Sequence, residues 1–270
     1  MQQARDFGAE SAALAGFLER LAPGDWNRPT GFKGWSPNDI LVHLHVWNLA
    51  QDLALQDPEA FRARVGAMEQ AIAEGRARDF EAGLVAERGP ELLRLWATQA
   101  AGMAARWEEV DPKRRLPWAG PDMSARSAMS ARQMETWAHG LAIWDMLGAD
   151  RPETDRIRNI VHLGVTAFGW SFKVHGQPVP DTLPHLRLTA PSGTVWEYGQ
   201  VGATDRITGL AADFARVVTQ TRNIADTALA VEGPVARAWM AQAQCFAGPP
   251  ETPPAPGTRG PRDQGLQAGR

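Results

Sequence analysis

Glu135-Thr136-Trp137-Ala138-His139 places a carboxylate and an imidazole four positions apart. On a helix that spacing puts both side chains on one face, one turn from each other. A second imidazole, His43, lies far upstream in the segment Gly34-Trp35-Ser36-Pro37-Asn38-Asp39-Ile40-Leu41-Val42-His43. Two imidazoles and one carboxylate from two helices are enough to hold a divalent metal with coordination positions left open. A structural zinc site is normally closed by four protein ligands, whereas a catalytic one keeps a place for water or substrate. Cys245 is the only cysteine, so a Cys-rich zinc motif and an intrachain disulfide are both excluded. The metal donors expected of this chain are therefore His, Asp or Glu.

Other readings of the same residues compete. A Glu–His pair one turn apart is also an ordinary solvated helix pair. Here Met134, Trp137, Ala138, Leu141, Ala142, Trp144 and Leu147 make the segment apolar around much of its circumference. A carboxylate and an imidazole are costly there unless paired or metal-bound. Residue chemistry alone leaves the ion pair and the metal site both open. His45 competes with His43, because two helical steps turn a side chain by about 200° and only one of them can face the pair. The helical wheel aligns His43 with Asp39, Ile40 and Trp47, and His45 with Leu41 and Leu49, which does not decide between them. Asp39 could orient a ligand, but capping is the stronger reading. Ser36 suits the N-cap, Pro37 the first turn, and Asp39 follows the cap by three residues.

The elements that must position these residues read as helices over the first half. Apolar spacing predicts a helix from Ala4 to Leu21, interrupted at Glu10 and Ser11, and ended by Ala22-Pro23-Gly24. Others are expected from Ser36 to about Leu55, from Asp57-Pro58 to about Glu74, and from Phe80 to Val110 with a break or kink at Gly89-Pro90. Leu116 to Pro121 reads as a breaker-rich loop, and Ser124 to Leu147, ending before Gly148, as the helix carrying Glu135 and His139. The fold class expected is α plus α+β. An antiparallel four-helix bundle spans residues 1–150, with one of the five stretches accessory. A small α+β domain follows over 155–247, with helices at Asp155–Phe172, Leu210–Thr221 and Val235–Phe246. A β-hairpin is expected from Leu186–Ala190 and Thr194–Tyr198 around the Pro191–Gly193 turn. The Pro- and Gly-rich stretch 248–270 is expected to be a disordered tail.

Composition narrows the function classes. The chain has 270 residues and a formal net charge of −3, which gives no basic footprint for nucleic acid. No apolar run is long enough for a membrane span. Met1 to Asp6 turns polar at once, without the apolar core of a signal peptide, so a cytoplasmic location is expected. The 11 tryptophans are expected mostly in the core. Nothing in the sequence sets an oligomeric state.

Gly34-Trp35-Ser36-x3-Ile40-Leu41-x-His43-Leu44, with the later Met134-Glu135-Thr136-Trp137-Ala138-His139-Gly140, resembles the mycothiol-dependent maleylpyruvate isomerase N-terminal domain. That family belongs to the DinB-like superfamily of metal-binding four-helix bundles. The resemblance implies a metal, zinc or nickel, held by His43, Glu135 and His139. It continues through Val161-His162-Leu163-Gly164-Val165, Ser171-Phe172-x-Val174-His175-Gly176, Asp226-Thr227-Ala228-Leu229 and Ala247-Gly248-Pro249-Pro250, as in a two-domain branch of these proteins. It implies a low-molecular-weight thiol such as mycothiol, bound as thiolate and attacking a small electrophilic substrate. The reaction would be cis–trans isomerisation or S-transfer. Arg216 and Arg222 are the residues expected to act on an anionic substrate, since an Arg can clamp a carboxylate through two hydrogen bonds. His162 and His175 are further anion candidates. A metal-dependent hydrolase and a non-catalytic, metal-stabilised binder of a small ligand are the alternatives.

Overall fold

The second long helix has its start written into four residues. The Ser36 side chain accepts from the Asp39 backbone N–H, and the Asp39 carboxylate accepts from the Ser36 N–H at 2.8 Å. Pro37 occupies the first turn, where a missing N–H costs nothing. A cap of this kind stabilises a helix by about 1 kcal/mol. The structure, a computed structural model, describes residues 1–260.

Two compact units divide the chain, Met1–Ile143 and Trp144–Arg270. The first is built on four long helices: α1 (Gln2–Leu18), α2 (Pro37–Gln56), α5 (Gly89–Glu108) and α6 (Ala125–Met146). Two shorter helices, α3 (Pro58–Ala73) and α4 (Ala77–Gly83), lie between α2 and α5 in sequence. Helix α6 runs three residues past the end of the first unit. Phe7 from α1, Met103 and Trp107 from α5, and Ala128 and Met129 from α6 share one buried cluster. Glu10 and Ser11, which break the apolar stripe of α1, are nonetheless buried.

Of the break or kink expected at Gly89-Pro90 within Phe80–Val110, the structure has the break, with α4 ending at Gly83 and α5 starting at Gly89. Gly89 takes a positive φ of 58° and donates its N–H to the Asn38 side chain at 2.7 Å. Pro90 then opens α5 instead of kinking a continuous helix. The loop expected at Leu116–Pro121 is a short antiparallel pair, β1 (Arg115–Trp118) and β2 (Gly120–Ser124). Pro117 cannot donate to a ladder, and the register shifts just there, between Leu116 and Trp118. Leu116 reaches the core cluster beside Trp107.

In the second unit the stretch 155–172 is a 3-10 turn followed by α7 (Arg158–Thr166) and α8 (Phe168–Lys173). The expected hairpin is present as β3 (His185–Thr189) and β4 (Val195–Tyr198), paired antiparallel. Two strands that the residue pattern did not signal complete the sheet: β5 (Arg206–Leu210) and β6 (Ala230–Glu232). The order is β4-β3-β5-β6, with β3 and β5 parallel. Helices α9 (Ala211–Val218) and α10 (Pro234–Gln242) follow β5 and β6. Of the stretch expected as a tail, residues 248–260 form no helix or strand, and 261–270 lie outside the described residues. Asn223 donates to the Pro254 carbonyl at 2.8 Å and Arg259 to the Gln220 carbonyl at 2.8 Å. Among the described residues no helix is long and apolar enough to cross a membrane.

Gly164 shows how tightly α7 and α9 meet. A Cβ there would lie 2.8 Å from Val218 and 3.1 Å from Phe214. Gly164→Ala should therefore destabilise the protein by about 1–3 kcal/mol through overpacking. Gly66 in α3 has open space around it, and Gly66→Ala should gain up to about 1 kcal/mol from helix propensity. Chemical denaturation checks both, and equal effects of the two substitutions would contradict the packing described.

Candidate metal centre

Two helices and a loop build the site. His43 lies near the start of α2, whose entry is fixed by the Ser36–Asp39 cap. Glu135 and His139 come from α6, one turn apart. His139 Nε2 is 3.0 Å from Glu135 Oε2, and His43 Nε2 is 3.8 Å from the same oxygen. One donor atom from each of the three residues falls within 4.8 Å of the others. Such a convergence of two imidazole nitrogens and a carboxylate oxygen has the donor set and the span of a three-ligand divalent site. The donor set and its span fit the metal that the family resemblance implies.

The loop before α2 supplies aromatic walls. The Trp35 indole lies parallel to the His139 ring at an interplanar angle of 4° and edge-on to His43, with centroids 5.3 Å apart. Phe32 meets His139 edge-on at 4.8 Å. Lys33 and Gly34 both take positive φ, so the chain turns sharply between Phe32 and Trp35.

Charge is concentrated here at low exposure. Arg132 is 2% exposed, one turn before Glu135 on α6, and its Nε donates to the Asn48 side chain at 2.9 Å. Burial draws its pKa down to about 10, against the pull of Glu135 and Glu81. Burial alone would raise the Glu135 pKa. Hydrogen bonds from His139 and His43, with the charges of His139 and Arg132, hold it far below the usual carboxylate range. Burial would likewise lower His43, but Glu81 and Glu135 outweigh it and hold its pKa up at about 9. His139 is lowered, mainly by burial. The two carboxylates thus favour a positive charge lodged between them.

Glu81, from α4, was not signalled by the sequence. Its carboxylate accepts from His43 Nδ1 at 3.0 and 3.1 Å and from Trp47 Nε1 at 2.8 Å. The stretch Ala77–Gly83 carries no motif that would single it out. Trp35 was visible as part of the Gly-Trp pair, while Phe32 and Arg132 had no signal.

His45 is buried, its Nδ1 meets no protein partner, and it is not a member of the cluster. Asp39 caps α2 and also accepts from Arg78 at 2.7 Å, so it serves the helix start. Arg216 and Arg222 lie in the second unit and are engaged by carboxylates there. Arg216 meets Asp213 at 3.0 Å and Glu153 at 3.2 Å. Arg222 forks onto both oxygens of Asp145 at 2.8 and 2.6 Å. Both guanidiniums are thus paired with carboxylates of their own unit, and clamping a substrate carboxylate would mean exchanging one of these partners. His175 donates Nδ1–H to the Ser171 carbonyl at 2.9 Å, and His162 is exposed on α7.

Comparison with known proteins follows the same residues. The family model for the mycothiol maleylpyruvate isomerase N-terminal domain matches residues 7–143, a span that includes His43, Glu135 and His139. Two proteins from strains of Mycobacterium tuberculosis, the uncharacterized proteins MT0041 and Rv0036c, are each 37% identical over 245 residues. Those matches cover 91% of this chain and 95% of theirs, and so take in both units. A crystal structure of the mycothiol-dependent maleylpyruvate isomerase matches with a TM-score of 0.51 at 15% identity, over 80% of this chain and 87% of that one. A mutant of the same enzyme matches equally. These likenesses establish a shared fold, mostly helical with a small sheet-bearing part. The family match spans just over half of the sequence, and the chain belongs to the mycothiol maleylpyruvate isomerase N-terminal domain family.

Proposed function

We propose that this protein is a metal-dependent enzyme that uses a low-molecular-weight thiol, mycothiol or one like it, on a small electrophilic substrate. His43, Glu135 and His139 hold one divalent cation, zinc or nickel, and the four long helices of the first unit act as an antiparallel four-helix bundle around it. The reaction is cis–trans isomerisation, or S-transfer when the thiol is retained. The observation that carries this reading is the convergence of three donor atoms within 4.8 Å from α2 and α6. The family membership supports the thiol and the isomerase class.

A divalent cation in that position would supply Lewis acidity, lowering the pKa of a thiol or water that it binds. The chain's own residues then divide the work. On binding a cation His43 would give up the proton that Glu81 and Glu135 otherwise hold on it. His43 and His139 would then both present neutral nitrogen lone pairs, while Glu135 presents a carboxylate whose charge is preserved by its low pKa. Arg132 stays charged beneath them and fixes the α6 turn that carries Glu135 through its bond to Asn48. Phe32 and Trp35 screen one side of the imidazoles from water. Two carboxylates and one guanidinium leave the neutral-imidazole site at a formal −1. A divalent cation brings it to +1, which favours an anionic exogenous ligand such as a thiolate. In this reading the sulfur is that of the exogenous thiol, since Cys245, the single cysteine of the sequence, is buried.

Metal content tests the ligand set. His139→Ala should drop the metal stoichiometry well below that of His45→Ala, measured by elemental analysis after purification. Equal retention in both variants would contradict the assignment. Cobalt substitution tests the thiol. Adding mycothiol to the cobalt protein should produce a sulfur-to-cobalt charge-transfer band that is absent in Glu135→Ala and His139→Ala. No spectral change at millimolar thiol with the metal fully loaded would instead favour a hydrolase or a ligand-binding protein.

A further inference from the structure

Helix α4 reads one face of α2. Asp39, His43 and Trp47 lie one turn apart along α2 and so share a face. Two residues of α4, Arg78 and Glu81, are three apart and meet all three. Arg78 donates to Asp39 at 2.7 Å. Glu81 accepts from His43 Nδ1 at 3.0 and 3.1 Å and from Trp47 Nε1 at 2.8 Å. Glu81 is 5% exposed, and a carboxylate is rarely buried unless its oxygens are satisfied. Here both donors are ring N–H groups, and one of them belongs to a residue of the metal centre.

The edge of the imidazole that Glu81 takes decides its role. It meets Nδ1, while Nε2 is the atom turned toward Glu135. Glu81 is therefore on the far side of the ring from the converging donors and is not a fourth ligand. A carboxylate on Nδ1 accepts its proton and leaves the Nε2 lone pair free. It also fixes the ring's rotation and makes the nitrogen a stronger donor to a cation.

We propose that Glu81 is the positioning residue of the metal centre: it holds His43 in the tautomer and orientation that offer Nε2 to the cation. Trp47 assists by filling a second acceptor site on the same carboxylate, which keeps Glu81 from swinging away. The role rests on the reading of His43 as a metal ligand. It gives α4 a function that a mere connector between α3 and α5 would lack.

The experiment measures zinc affinity of the full-length protein by competition with a chromophoric chelator. The variants are Glu81→Gln, Glu81→Ala, and Arg78→Ala, which breaks the other α4–α2 contact without touching His43. Glu81→Ala should weaken zinc binding by about 10- to 100-fold, the usual effect of losing such a partner. Glu81→Gln is isosteric and keeps one acceptor oxygen, so its loss should be smaller. Arg78→Ala should bind zinc as the wild type does. Long-range proton–nitrogen NMR of the zinc-loaded wild type should place the His43 proton on Nδ1. Wild-type affinity in both Glu81 variants would overturn the proposal and leave the proposed function standing. An equal loss in Arg78→Ala would show that α4 only braces the fold, and would overturn it too. A proton on Nε2 would do the same. Failure of the wild type to bind zinc at all would remove the metal reading and this role with it.

Discussion

A half-buried charged carboxylate beside two imidazoles is the constraint around which the first unit is arranged. Glu135 lies on α6 among side chains that are largely apolar, where an unpaired charge would cost several kcal/mol. Its neighbours are the two imidazoles at 3.0 and 3.8 Å and the Arg132 guanidinium one turn earlier. Each of those neighbours needs partners of its own. Arg132 takes Asn48 on α2, and His43 takes Glu81 on α4. The polar groups thus form a chain of obligations running from α6 through α2 to α4. Removing one partner leaves the next buried charge uncompensated, which is worse than never having buried it. A cation held by the three donors would relieve the largest of these costs.

The apolar packing serves that arrangement. Trp107, Met103, Phe7 and Met129 join α1, α5 and α6 in one cluster. Asn38, two residues into α2, ties the start of α5 through the Gly89 N–H. The end of α2 is tied as well: Asp52 accepts from the Trp107 indole at 2.9 Å and pairs with Arg106, both on α5. Helix α2 is thereby fixed at both ends, and His43 has little freedom to drift from Glu135. Catalytic geometry generally needs such support from the surrounding shell.

Much of this was legible in the sequence, and for physical reasons. The cap at Ser36-Pro37-x-Asp39 is a local pattern and was read correctly. The Glu135–His139 spacing depends only on helix pitch, so it was readable once α6 was identified. The choice of His43 over His45 was not, because it depends on how α2 is rotated about its axis, and that is set by contacts distant in sequence. Glu81 was invisible for the same reason, since its partners lie 34 and 38 positions upstream. The strands β1, β2, β5 and β6 are as short as β3 and β4, but no Pro-Ser-Gly turn like that of Pro191–Gly193 marks them out. Pro117 argued against β1, and only the irregular register accommodates it. Arg216 and Arg222 were attractive as isolated cations. Their carboxylate partners, Asp213, Glu153 and Asp145, become visible only when the chain is folded.

The central claim is that two imidazoles and one carboxylate of this chain bind a divalent metal with a position left open. X-ray absorption at the zinc edge of the stoichiometrically loaded protein tests it most directly. The account predicts a first shell of nitrogen and oxygen at about 2.0–2.2 Å, with outer-shell scattering from two imidazole rings. Adding thiol should then introduce one sulfur at about 2.3 Å. A shell of oxygen alone, without imidazole scattering, would contradict the account.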